Sequence, residues 1–122
     1  MWVMRSTYVQ VAVVDIAQGG DHEAPGGRVT VELCGHWEHD GACRWPHHTA
    51  VEVLAPDQFA VRTVFAATAE DEPSVRAQIV AALMAGRGDG PSGETRWVVV
   101  SESRGEPTVV EHDFAARQEP AG

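Results

Sequence analysis

Hydrophobic and polar positions alternate along this chain in short runs, and most runs have the period of a strand. Within Tyr8–Ile16, Val9, Val11 and Val13 alternate in a stretch rich in β-branched residues, which predicts a first strand. Arg28 to Cys34 alternates most clearly, with Val29, Val31 and Leu33 set against Thr30, Glu32 and Cys34. Thr49–Leu54 reads as a third strand, ended by Pro56-Asp57. Phe59–Ala67 reads as a fourth, with Phe59, Val61, Thr63 and Phe65 on one face. Arg96–Ser101, with Trp97 and a run of valines, predicts a fifth. Residues 107–114 fit a sixth strand or a short helix equally well.

One segment switches period. Val75, Ile79 and Leu83 recur every fourth residue behind Asp71-Glu72-Pro73, and proline is pre-organised for a first helical position. A helix over about 73–85 follows, with Gly86 as its stop. Glycine and proline mark 18–27 as a loop and 86–95 as a flexible loop, and the polar tail 115–122 is expected to fray. These elements predict an α+β fold: a mainly antiparallel or mixed sheet of five to six strands with one covering helix. At 122 residues and 43% hydrophobic content, residues 1–122 fit a single domain with one core. One helix leaves the second sheet face short of cover. The apolar run Val98–Val100 therefore points to a second copy of the chain on that face, a homodimer.

Charge removes several function classes. Eighteen acids against nine bases give a net charge of −9, and every base is arginine. Without lysine there is no Schiff-base chemistry and no Walker-type phosphate loop. A chain this acidic lacks the footprint of a nucleic-acid binder, whereas a protein partner stays open. Tyr8–Ile16, the most apolar stretch near the start, carries Gln10 and Asp15 and is too short to span a membrane. It also lacks a signal-peptide cleavage pattern, so the expected compartment is cytoplasmic. There, Cys34 and Cys43 are expected as thiols, metal ligands or a redox pair rather than a structural disulfide.

Candidate chemistry concentrates between Cys34 and His48. This segment holds both cysteines, four of the six histidines and two of the four tryptophans. Thiolate and imidazole are the ligands that zinc and similar ions prefer. Read as a hairpin, the segment brings Cys34, His36, Cys43 and His48 toward one ion, with His39 and His47 as substitutes. With an open coordination position, Glu38 is the candidate base. The spacing fits no zinc finger or ribbon, so the reading is a transition-metal, most simply zinc, domain whose role is structural or catalytic. The alternative is a non-enzymatic interaction module in which Trp37, Arg44, Trp45 and His47 form the binding surface. A third reading uses the histidines without metal on a small molecule. A bland reading also stands beside these, in which Trp37 and Trp45 seal a core edge.

Overall fold

The computed structural model describes residues 5–34, 45–90 and 93–118. Five strands form one antiparallel sheet: β1 (Ser6–Ile16), β2 (His47–Ala55), β3 (Gln58–Ala67), β4 (Arg87–Gly90) and β5 (Gly93–Gly105). Their order across the sheet is β2-β3-β1-β5-β4. Helix α1 (Ala24–Cys34) joins β1 to β2, and α2 (Glu72–Met84) leads from β3 to β4. A 3-10 turn (Glu111–Asp113) and a short helix α3 (Phe114–Gln118) follow β5. β1 and β2 run the same way with β3 antiparallel between them, and β3 and β5 flank β1 in the same manner. The result is two interleaved split β-α-β crossovers, an α+β fold.

Three sequence expectations change here. Residues 28–34 belong to helix α1 and not to a strand. The pair Val29 and Leu33, four residues apart, is buried to 0% and 4% exposure against the sheet and α2. Alternation over seven residues fits both periods, and the crossover from β1 to β2 selects the helix. Three helices, not one, accompany the sheet, because 114–118 is also helical. The expected loop at 86–95 carries instead the paired ends of β4 and β5, with Arg87 opposite Arg96 and Gly90 opposite Gly93. Gly86 has φ of 70° and ends α2. A side chain there would meet the Trp97 carbonyl at 2.9 Å, so the turn into β4 needs glycine.

The main core lies between the sheet and helices α1 and α2. Ala12, Val14, Ile16, Phe59, Val61 and Phe65 from the strands meet Val29, Val75, Ile79 and Leu83 from the helices. Trp97 is 4% exposed, and its indole N–H donates to the Leu83 carbonyl at 2.8 Å. Arg76 enters this core from α2. Its Nη1 donates to the Val9 carbonyl and Gln10 Oε1, and its Nε to Glu72 Oε2, each at 2.7 Å. Its guanidinium carbon lies 5.7 Å from the Tyr8 ring centre and 5.4 Å from that of Phe65. Gln10 in turn donates to Glu102, whose carboxyl is pushed above its ordinary pKa chiefly by burial.

The opposite sheet face is covered only in part. Arg62 of β3 forms a two-pronged ion pair with Glu111, with bonds of 2.6 and 3.0 Å. Thr7 Oγ1 accepts from the Ala115 N–H at 2.9 Å. These contacts seat the C-terminal helix over Val9 and Val64, both buried. Farther along the same face Val98 and Val100 remain exposed, at 68% and 53%. Among the described residues no helix is long and apolar enough to cross a membrane.

Candidate functional site

The site is built where α1 lies across the first half of β2. Gly26 permits the approach, since a Cβ there would sit 3.0 Å from Thr49 Cγ2. One turn later Thr30 reaches β2. Its hydroxyl donates to the Gly26 carbonyl at 3.1 Å and lies 3.1 Å from His47 Nε2. The other ring nitrogen, His47 Nδ1, lies 3.0 Å from the Trp45 carbonyl. A carbonyl only accepts, so Nδ1 carries a proton. The Thr30 hydroxyl has one proton and two acceptors within reach, the Gly26 carbonyl and His47 Nε2. That proton serves one of them at a time, so the Trp45 carbonyl orients the ring and Nε2 faces the Thr30 hydroxyl.

A cleft of about 570 Å³ opens beside this pair, lined by His22, Glu23, Gly26, Gly27 and Thr30 and by His47 to Val51. That volume falls within the roughly 300–1,000 Å³ of small-molecule sites. His22, in the cleft wall, lies against Phe59 with ring centres 5.6 Å apart and planes tilted by 35°. Asp21 fixes the turn before α1: its N–H donates to Thr95 Oγ1, and its carboxylate accepts from the Glu23 N–H, both at 2.9 Å. Thr49 Oγ1 is buried and lacks a hydrogen-bond partner among the described residues. Its neighbour across the ladder, Thr63, is fully buried and has the same deficit. Buried hydroxyls without partners are rare. The one on Thr49 lies beneath the cleft wall, closed off from solvent.

Of the candidate site residues singled out from the sequence, only Cys34, Trp45, His47 and His48 are among the described residues. Cys34 is the last residue of α1, and His47 and His48 open β2, so the two ends of the segment are a helix end and a strand start rather than facing strands. His36, Trp37, Glu38, His39, Cys43 and Arg44 lie outside the described residues. Strand alternation sends His47 to the α1 side and His48 to the other. His48 lines a second cavity, about 660 Å³, with Val64, Glu111 and Phe114. Trp45 is 8% exposed and packs in the main core, which is the bland reading of that residue. Among the described residues no three His, Cys, Asp or Glu side chains are placed to hold a metal ion. His22, Thr30 and Thr49 were not singled out by the sequence reading. Thr30 was hidden by the strand assignment of 28–34, and only a helical reading of Gly26 and Thr30, four apart, would have set them on one face.

Comparison with protein-family models, characterised proteins and solved structures gives no match to the chain.

Proposed function

We propose that this chain is a small-molecule-binding domain whose ligand sits in the cleft between α1 and β2. One observation carries the reading: a cleft of small-molecule size is walled by the adjacent Thr30 and His47 side chains together with His22 and Glu23. The ligand class is a small polar molecule with hydrogen-bonding groups for the His47–Thr30 pair and for the His22 and Glu23 side chains. The test is ligand-observed NMR with a library of small polar fragments, run on the unmodified chain, Thr30→Val and His47→Ala. Fragments that bind the unmodified chain and lose binding in Thr30→Val or His47→Ala support the reading. No binders, or binders indifferent to both changes, overturn it.

The zinc reading of Cys34, His36, His39, Cys43 and His48 is a separate proposal that rests on the ligand chemistry of the sequence. Its test is metal content.

A further inference from the structure

Strand β2 is an edge of the sheet, and it is unusually open for one. Protected edges are short, or carry proline, lysine or inward charges. The other edge, β4, is four residues long and contains two glycines. β2 is nine residues long, with no proline or lysine and a single charged residue, Glu52. The Ala66 N–H donates to the Pro46 carbonyl at 3.0 Å. The ladder therefore turns the even-numbered residues of β2 toward β3, and Thr49 and Val51 direct their N–H and C=O groups outward. Among the described residues no backbone group bonds to these outward groups.

We propose that β2 pairs with β2 of a second copy of this chain, antiparallel about a two-fold axis at Ala50, making one continuous ten-stranded sheet. The register follows from polar complementarity. With Ala50 opposite the partner's Ala50, Thr49 lies opposite the partner's Val51, and the outward backbone groups of both strands meet. His48 then falls opposite the partner's Glu52, and Glu52 opposite the partner's His48. These are non-hydrogen-bonded positions, where facing Cα atoms are only about 4.5 Å apart and side chains interact most closely. The imidazole donates and the carboxylate accepts, twice by symmetry. The two Glu52 carboxylates stay about 14 Å apart along the strands. A register centred on Glu52 would instead set them face to face, on a chain of net charge −9. Alanine at the axis leaves the closest crossing free of bulk.

The test is light scattering after size exclusion on the full chain at about 100 µM, with dilution to resolve the dissociation constant. The unmodified chain is expected at twice its 13.1 kDa. His48→Glu places like charges opposite each other at both pairs and is expected to weaken the dimer about tenfold or more. His48→Glu combined with Glu52→Arg restores opposite charges and is expected to recover it to within about threefold. Amide exchange gives a second readout that needs no variant. The Thr49 and Val51 amides should be protected at high concentration and lose that protection on dilution. A monomeric unmodified chain, a dimer indifferent to His48→Glu, a double variant that fails to recover, or amides equally protected at all concentrations overturns the proposal. So does a dimer broken instead by Val98→Glu on the open sheet face.

Discussion

Replacing Arg76 by methionine tests how the polar end of the core is held. Methionine keeps much of the length and apolar stem, so the perturbation is confined to the guanidinium. The change removes three hydrogen bonds of 2.7 Å and the cation between the Tyr8 and Phe65 rings. It leaves the Val9 carbonyl, Gln10 Oε1 and the Glu72 carboxylate short of a donor. Glu72 keeps only Arg104, at 3.5 Å and largely exposed. Breaking a buried ion pair by removing one partner costs about 3–5 kcal/mol. The Arg76 and Glu72 side chains retain 11% and 16% exposure, so the lower end, about 3 kcal/mol, is expected. For 122 residues the unfolding entropy is about 0.26 kcal/mol/K, and Tm should fall by about 12 °C. Urea denaturation followed by circular dichroism measures the loss, and thermal melts check it. Adding Glu72→Gln removes the stranded carboxylate, so the double variant should recover about 1–2 kcal/mol relative to the sum of the singles. A loss under about 1 kcal/mol for Arg76→Met, or strict additivity, would refute the view that Arg76 holds this end together.

Other predictions follow from single groups. Thr63→Val exchanges a buried hydroxyl with no partner among the described residues for a methyl of similar shape and should raise the urea-derived stability by about 1 kcal/mol; a loss of that size would show that the hydroxyl is satisfied. The bonds from Arg62, chiefly, hold the Glu111 carboxyl at about 2, below its ordinary 4.5. A depressed carboxyl contributes stability fully above its unfolded value, and the contribution is lost as pH falls through the folded one. Arg62 and Glu111 side chains are 29% and 22% exposed, so solvent screening leaves about 1–2 kcal/mol. Glu111→Gln should cost that amount near pH 6 and only a small part of it near pH 2, a difference read by denaturation at both; an equal cost at the two values refutes the linkage. Glu102, raised by burial, acts in the opposite sense, and its share is lost as pH rises through its folded value. For the cysteine–histidine segment, elemental mass spectrometry on untagged protein should find about one zinc or similar ion per chain, reduced in Cys34→Ser and His36→Ala. No metal and no uptake of added zinc would remove that reading.

The sequence carried the strands whose burial is one-sided or central. Tyr8–Ile16 and Phe59–Ala67 become β1 and β3, the central strand and an interior neighbour, which pair with each other through ten positions. Their β-branched and aromatic residues suit a pleated, buried surface wherever it lies. The α2 helix was equally legible, because Val75, Ile79 and Leu83 mark one face over several turns and all three are buried. Net charge, the absence of lysine and the uneven placement of cysteine and histidine also belong to the sequence alone.

Tertiary structure decided the rest. Val29, Val31 and Leu33 satisfy a strand and a helix about equally over so short a run, and only the need to cross from β1 to a parallel β2 selects the helix. That choice moves Thr30 from a strand face to a position 3.1 Å from His47, and with it creates the cleft. The Gly-rich 86–95 segment reads locally as a loop, yet its ends pair because α2 stops at Gly86 and Trp97 is anchored on Leu83. Likewise, nothing local reveals that β2 is an edge, which depends on the order of strands separated in sequence by whole helices. Local pattern fixes which residues seek burial; the partners they find depend on contacts between distant segments, which the pattern does not encode.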